Sequence, residues 1–156
     1  MAGVVLDLVT LQGELERARQ RGARVVLTNG VFDLLHVGHL RCLRQARRAG
    51  DVLVVGVNAD AAVHKPGRPL VPEAERAELV AALEPVDYVV IFGESTADAL
   101  LGAVRPDVYV KGADYSESTL PEAQTAHAIG AQLMFVELVH NRSTSALARA
   151  VRARNR

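Results

Sequence analysis

Two histidines separated by two residues are the most chemically suggestive feature of the sequence. His36 and His39 flank Gly38 and come shortly after a short apolar run, 25–27, that ends in a glycine-containing turn. From Gly38 onward apolar residues recur at helical spacing, so the pair falls where a strand has ended and a helix begins. The free N–H groups and the dipole of a helix N-terminus attract anions. The pattern therefore predicts a phosphate-binding site with two imidazole donors.

Two other interpretations of the histidine pair are open. One histidine could cap the helix while the other packs, which is the ordinary role of a lone histidine. A metal site is the second alternative, but it needs further ligands, and none stands at a convincing local spacing. Gly38 has no Cβ, so it lets a phosphate or a ring approach the backbone closely. Taken as a cluster, these residues favour phosphate binding.

A loop rich in proline and glycine carries two cations. Residues 63–69 include Lys65 and Arg68 and are unsuited to a regular element. Cations on a mobile loop are what a polyphosphate ligand requires. A solvated surface loop is the alternative. The position of this loop next to the predicted phosphate site favours the ligand-binding interpretation.

The bulk composition limits the possible functions. The chain has 156 residues, of which 49% are hydrophobic, a length suited to one domain with a buried core. Lys plus Arg equals Asp plus Glu at 18 each, so the overall charge gives no reason to expect a nucleic-acid or membrane partner. The single cysteine, Cys42, fits a cytoplasmic protein, and we expect it to be a small packed residue rather than a nucleophile. We expect neither a membrane span nor a signal peptide.

Strands and helices alternate along the chain. Strands are predicted at 25–27, 51–57, 88–92, 108–110 and 131–136. Helices are predicted at 10–21, 38–50, 72–83, from a cap at Ser95 or Thr96 to 104, at 121–129, and from 143 onward. Residues 4–9 are too short a stretch to classify. In the last helix, Leu147, Ala150 and Val151 are expected to face inward.

This alternation predicts an α/β fold with an open five-stranded parallel sheet, doubly wound and Rossmann-like. We expect one domain over 1–156, with a core from about 24 to 156 and an N-terminal segment, 1–22, that holds one helix. Parallel sheets bind ligands beyond the carboxyl ends of their strands. The loops around His36, Lys111 and Ser143 should therefore open on one edge.

The string 29–33 followed by His36-Val37-Gly38-His39 resembles the first signature of the cytidylyltransferase-like nucleotidyltransferases. The likeness continues over nearly the whole chain from about residue 24. Within the family, the chain most resembles the branch that makes ADP-heptose from heptose 1-phosphate. It rests on Gly56-Val57-Asn58-Ala59-Asp60, Gly67-Arg68-Pro69, Arg76-Ala77-Glu78, the stretches 86–92 and 105–108, Lys111-Gly112, Asp114-Tyr115 and Ser143-Thr144.

This resemblance implies transfer of AMP from ATP to D-glycero-β-D-manno-heptose 1-phosphate, with release of pyrophosphate and with a divalent cation, usually Mg²⁺. In-line attack by a phosphate that is already an anion needs positioning and charge stabilisation rather than a strong base. We assign His36 and His39, as catalytic donors, to the α- and β-phosphate oxygens. Lys65 and Arg68 would close over the leaving pyrophosphate and the incoming phosphate.

The remaining predicted contacts divide between the nucleotide and the sugar phosphate. The nucleotide contacts are Asn29, Gly30, Val31, Phe32, Gly38, Ser143 and Thr144, with the base read by the loop 138–142 that includes Arg142. The substrate contacts are Asp33, Asp60, Lys111, Gly112 and Asp114. No protein-held metal site is predicted.

Two other functions remain open at this stage. One is a cytidylyltransferase acting on a polyol phosphate such as glycerol 3-phosphate, and the other is a nucleotide-binding protein without catalysis. A homodimer is expected only from the family likeness. Ala113 and Ser145 depart from the usual pattern of Gly and a second Thr, and the first change could alter sugar recognition.

Overall fold

The computed structural model describes residues 1–139 and 143–156. In chain order its elements are β1 (Val4–Val5), α1 (Leu8–Gln20), β2 (Val25–Gly30), α2 (Val37–Arg47), β3 (Val52–Asn58), a 3₁₀ turn (Asp60–Ala62), α3 (Glu73–Ala81), β4 (Tyr88–Phe92), α4 (Asp98–Val104), β5 (Val108–Gly112), α5 (Ala123–Ala128), β6 (Gln132–Val136) and α6 (Thr144–Arg154). Within these residues, no helix has the length and apolar character needed to cross a bilayer.

All strands are parallel and lie in the order β1-β4-β3-β2-β5-β6. The predicted fold class is confirmed, but the predicted count of five strands is wrong, because Val4 and Val5 pair with Tyr88 and Val89 and add a sixth strand at the edge. Both side chains of β1 are exposed. A two-residue edge strand with no buried side chain leaves too short a pattern for the sequence to reveal.

The sheet is covered on both faces, as the unbroken apolar strands require. On one face, Val25 and Leu27 of β2 pack with Leu11 and Leu15 of α1 and with apolar side chains of α4 and α5. On the other face, Val26 packs with side chains of α2 and α3. Since Leu11 and Leu15 belong to this core cluster, the N-terminal segment packs together with the rest of the chain.

Two helix predictions are corrected by the structure. Helix α4 begins after Ala97 and not at a Ser95 or Thr96 cap, because the Ala97 N–H donates to the buried Glu122 carboxylate and the Thr96 hydroxyl donates to Asp98. Helix α6 has no buried residue, and the side chains expected to face inward are exposed: Leu147, Ala150 and Val151. This helix lies outside both core clusters.

The order of the strands reverses between β2 and β5. From β2 the chain proceeds outward through β3 to β4, and it then crosses back to place β5 and β6 on the other side of β2. Thr28 is in register with Val110, so the polar ends of both strands, Asn29-Gly30 and Lys111-Gly112, emerge side by side. Such a switch point opens a crevice at the carboxyl edge of the sheet, where ligands bind in folds of this type.

Candidate active site

A cavity of about 930 Å³ occupies this crevice. It brings together nearly all of the predicted site residues: Asn29, Gly30, Val31, Phe32, Asp33, His36, Gly38, His39, Lys65, Arg68, Lys111, Gly112, Asp114, Ser143 and Thr144. Asp60 is absent from the lining, and Arg142 lies outside the described residues, as does most of the loop predicted to read the base.

The end of β2 and the loop that follows it are held in place by hydrogen bonds from Arg76 and Tyr109. Phe32 has a φ of 53°, in the left-handed region that an aromatic residue rarely adopts, and its ring is buried with its centroid 5.2 Å from that of His39. The Arg76 guanidinium donates to the Val31 carbonyl, and the Tyr109 hydroxyl donates to the Asn29 side chain. These contacts fix the turn that carries the chain from the sheet to the histidines.

The two histidines cap the helix that they begin. His36 Nδ1 accepts a hydrogen bond from the Gly38 N–H at 3.1 Å, and His39 Nδ1 accepts one from the His36 N–H at 3.3 Å. The two rings stack with their centroids 3.9 Å apart. A ring nitrogen that accepts a hydrogen bond carries no proton, so each neutral imidazole holds its proton on Nε2. Capping therefore does not compete with ligand binding, because it fixes Nε2 as the donor nitrogen of both rings.

Burial controls the charge of His39. Burial and, to a smaller extent, the neighbouring His36 together lower the pKa of this imidazole to about 4. His39 is therefore neutral at pH 7 and presents one donor rather than a full positive charge. A neutral Nε2–H can hydrogen-bond a phosphate oxygen and yet keep Nδ1 available to the helix N-terminus.

Asp33 is buried and anchors the end of the cation-bearing loop. Its carboxylate accepts hydrogen bonds from the Leu70 and Val71 N–H groups at 2.9–3.0 Å and from the Arg68 guanidinium at 3.1 Å. Burial acts to raise the pKa of Asp33, but the two N–H donors and Arg68 together bring it below its ordinary value. Asp33 is thus an anion that fastens residues 68–71 to the loop after β2.

Lys65 is an exposed residue of the same loop. Its side chain lines the large cavity, as does that of His64. Arg68, by contrast, is held by Asp33. The two cations predicted to act together therefore differ, since one is exposed at the cavity and the other already neutralises a buried carboxylate.

Asp60 is turned away from the cavity by a second ion pair. Its Oδ1 accepts from Arg76 at 2.7 Å, and the fully buried Arg76 guanidinium also donates to the Val71 and Val31 carbonyls. Arg76 therefore connects the loop after β2, the turn after β3 and the end of the cation-bearing loop. The geometry gives the predicted substrate contact of Asp60 no support, because its carboxylate serves this structural network.

Lys111 is a cation enclosed by the site. Its Nζ lies 3.4 Å from the Asn29 carbonyl and 5.3 Å from the centroid of the Tyr115 ring. Burial lowers the pKa of Lys111, while the nearby carboxylates of Glu122 and Asp114 act in the opposite sense. Within residues 1–139 and 143–156, no carboxylate reaches ion-pairing distance of Nζ. An enclosed ammonium of this kind is suited to a phosphate anion.

Cys42 also lines the large cavity, which the sequence did not predict. Burial raises the pKa of its thiol above the ordinary value. A thiol that resists ionisation is a poor nucleophile. The expectation of a packing role agrees with this environment.

The start of α6 forms part of the cavity wall. Ser143 caps the helix, with its Oγ accepting from the Ala146 N–H at 3.0 Å. The Thr144 hydroxyl donates to the Leu34 carbonyl at 3.0 Å, so its proton is already in use. Both hydroxyls therefore have structural partners, and Thr144 connects α6 to the segment that precedes His36.

Sequence reasoning missed the structural role of Tyr109. This residue is fully buried within β5, yet its hydroxyl reaches Asn29, and burial raises the pKa of that hydroxyl. A tyrosine between two valines in a buried strand was the available signal, because a buried hydroxyl needs a hydrogen-bond partner.

The described residues contain no cluster of three or more His, Cys, Asp or Glu side chains that could hold a metal ion. The donors that face the cavity are instead imidazole, ammonium and guanidinium groups, which bind anions. The arrangement fits a ligand that brings its negative charge, and any cation that accompanies it, into the site.

The sequence is similar to that of known proteins. The chain is 47% identical over 139 residues to the bifunctional protein HldE of Syntrophotalea carbinolica, covering 87% of this chain and 28% of the relative. It is 47% identical over 158 residues to the bifunctional protein HldE of Acidiphilium cryptum, covering 97% of this chain and 32% of the relative. The chain thus spans about a third of the length of the curated relatives that it matches.

A solved structure shares the fold. It is described as the lipopolysaccharide core biosynthesis protein from Thermoplasma volcanium, and it superposes with a TM-score of 0.64 at 30% identity, over 76% of this chain and 98% of that chain. The model of the cytidylyltransferase-like family matches residues 27–150, a span that includes most of β2, both histidines and the start of α6. The chain belongs to the cytidylyltransferase-like family.

Proposed function

We propose that the protein transfers AMP from ATP to heptose 1-phosphate, giving ADP-heptose and pyrophosphate. The observation that carries this proposal is the stacked pair His36 and His39, whose Nδ1 atoms cap α2 and whose donor nitrogens are therefore Nε2, on a cavity at the switch point of the sheet. Support for the sugar comes from the resemblance to ADP-heptose-forming enzymes and from the match to relatives named HldE.

The chemistry is one displacement at phosphorus. A phosphate oxygen of the sugar phosphate attacks the α-phosphorus of ATP, the bond from that phosphorus to the α,β-bridging oxygen breaks, and pyrophosphate leaves. His36 and His39 donate hydrogen bonds to the oxygens on which negative charge increases. A preorganised donor of this kind is worth about two to three orders of magnitude in rate.

The cations divide between the two reactants. In this proposal Lys65, which is exposed at the cavity, contacts the leaving pyrophosphate, and the enclosed Lys111 binds the acceptor phosphate. Arg68 contributes mainly by holding the loop through Asp33. Asn29, Gly30, Val31, Phe32 and Gly38 form the backbone wall beside the triphosphate.

A divalent cation, usually Mg²⁺, belongs to the proposed reaction. Mg²⁺ is commonly held by substrate phosphates and water with few protein carboxylates, and there it neutralises the triphosphate. The absence of a side-chain metal cluster in residues 1–139 and 143–156 fits a cation that enters with ATP. Asp114 is a carboxylate on the cavity wall that could approach such a complex.

A substrate panel tests the proposed function. The purified protein is assayed for pyrophosphate release with ATP or CTP in combination with heptose 1-phosphate, mannose 1-phosphate or glycerol 3-phosphate. We expect ATP with heptose 1-phosphate to be the preferred pair. Preference for CTP with glycerol 3-phosphate would contradict the assignment, and ATP binding without pyrophosphate release on any acceptor would indicate a protein that binds nucleotide without catalysis.

Assembly and location are part of the same proposal. A homodimer is expected from the family likeness alone, and the single cysteine fits a cytoplasmic location. Light scattering of the purified protein tests the oligomeric state, with a mass of twice 16.7 kDa expected for the dimer.

A further inference from the structure

A second, smaller cavity lies beside the large one, and no ligand has yet been assigned to it. Its volume is about 270 Å³. The two cavities are adjacent, and Lys111 lines both, as do Asn29, Gly30, Val31, Asn58, Ser95 and Tyr115. Its own far end is formed by Phe92, Thr96, Ala97, Pro121 and Glu122.

Glu122 is the unusual group in this small cavity. It is one of four buried polar residues in the described part of the chain, with 6% of its surface exposed. The other three have evident roles, since Thr28 bonds the Val110 carbonyl, Asp33 holds the loop and Arg76 connects three segments. Glu122 uses only Oε1, which accepts from the Ala97 N–H at 3.0 Å.

The second oxygen of Glu122 has no hydrogen-bond partner among residues 1–139 and 143–156. None of the fully buried side-chain oxygens in the described residues lacks a hydrogen-bond partner, so this second oxygen is not sealed in the core and remains accessible at the small cavity that Glu122 lines. In a cavity that also presents the Asn58 amide, the Ser95 and Thr96 hydroxyls and an aromatic ring, a neutral polyhydroxylated ligand satisfies these groups best. Its hydroxyl groups donate to the carboxylate and accept from the amide.

We propose that this small cavity holds the sugar of the acceptor, with Glu122 accepting hydrogen bonds from its hydroxyl groups and Lys111 binding its phosphate at the boundary between the two cavities. This inference rests on the proposed function, because it needs a sugar phosphate as the second substrate. The nucleotide then occupies the large cavity, and the acceptor phosphate reaches the α-phosphorus from the side of Lys111. Glu122 thereby becomes a residue that determines acceptor specificity.

Glu122→Gln tests the proposal with little change in shape. Its carbonyl oxygen keeps the bond from Ala97, so the amide NH₂ replaces the acceptor oxygen that faces the cavity. A sugar hydroxyl that donated to Glu122 loses its partner, and we expect the KM for heptose 1-phosphate to rise about 10- to 100-fold, as for loss of a charged hydrogen bond. The KM for ATP should stay within about two-fold, since the nucleotide lies on the other side of Lys111.

Two further variants keep the test decisive. Glu94→Gln changes an exposed carboxylate on the same loop as Ser95 and outside both cavities, and it should alter neither KM. Thr96→Phe places a ring from an exposed position into the small cavity alone, so it should raise the KM for heptose 1-phosphate even if Glu122→Gln folds poorly.

The outcomes separate this inference from the proposed function. If the wild-type protein releases pyrophosphate with heptose 1-phosphate and both variants keep its KM, the sugar lies elsewhere and only this inference is overturned. If both variants raise the KM for ATP by the same factor as that for the sugar phosphate, Glu122 is a scaffold residue and the inference also fails. A wild-type protein that binds ATP but uses no phosphorylated sugar overturns both.

Discussion

Two helices of equal length begin at the cavity and are held there in different ways. Helices α2 and α6 each have 11 residues and a side-chain cap on an extended residue, His36 in one and Ser143 in the other. Helix α2 buries Leu43 and Ala46 against the sheet, whereas α6 buries nothing. Among the described residues, the hydrogen bond that connects α6 to the rest of the protein runs from the Thr144 hydroxyl to the Leu34 carbonyl.

This difference distinguishes two walls of the site. The start of α2, with His36 and His39, is the fixed wall, and the start of α6, with Ser143 and Thr144, is the tethered wall. The core packing of Leu43 and Ala46 fixes the helix that begins at the histidine rings, and transition-state stabilisation depends on donors held in fixed positions. A helix held by a polar contact at its first turn can shift at lower cost, because few buried apolar contacts resist its movement. The fixed wall is suited to the reacting phosphorus, and the tethered wall to admission and release of the nucleotide.

The largest effect is expected on the fixed wall. His39→Ala removes the Nε2–H donor, so kcat should fall by about two orders of magnitude or more. Steady-state pyrophosphate release measures this, and circular dichroism checks that the fold is retained. His127→Ala is the matched control, because His127 is exposed and pairs with Glu117 away from the cavity. Near-normal turnover in His39→Ala would reject its role as a donor.

A smaller loss is expected from the exposed cation on the neighbouring loop. Lys65→Ala removes a charged contact to the pyrophosphate, and kcat should fall about 10- to 100-fold with little change in melting temperature. Arg41→Ala, at an exposed position of α2 that does not line the cavity, should behave as wild type. A collapse of the melting temperature in Lys65→Ala, with unchanged activity per folded molecule, would make Lys65 a structural residue.

The fixed wall was also the more predictable one. Strand β4 was predicted with its observed bounds and the start of α2 to within a residue, because apolar runs, turns and caps are encoded by neighbouring residues. The Asp33 bonds to Leu70 and Val71 and the Asp60 pair with Arg76 were not foreseen, since they join segments far apart in the chain. Likewise, the apolar spacing of α6 predicted a buried face that the fold leaves exposed.

The residues of the cavity also divide into those that the sequence could predict and those that it could not. Residues brought to the edge of the sheet by strand ends were predictable, because the topology alone places them there. The capping that sets the histidine tautomers needed atomic positions, as did the buried Glu122 of the small cavity. Residue types and their spacing in the sequence indicate which side chains could bind a ligand. Only the structure shows which of those side chains already have hydrogen-bond partners within the protein.

The burial of His39 in the fixed wall should make the free energy of unfolding depend on pH. The pKa of His39 is about 4 in the folded protein against 6.5 ordinarily, so the unfolded chain binds this proton first as the pH falls. Stability from this group is full above pH 6.5 and is lost between 6.5 and 4. From pH 7 to 5.5 the loss should be about 1 kcal/mol. Urea unfolding at both values measures it, and His39→Asn should remove this contribution.

The smallest effect is expected on the tethered wall. Thr144→Val keeps the shape of the side chain but removes the hydrogen bond to Leu34, so the start of α6 loses its described tie. One neutral hydrogen bond is worth about 1 kcal/mol, and the KM for ATP should rise about three- to ten-fold with kcat nearly unchanged. Thr144→Ser retains the hydroxyl and should restore the KM. If Thr144→Val instead lowers kcat as strongly as His39→Ala, α6 takes part in the chemical step, and the two walls do not differ in the way their packing indicates.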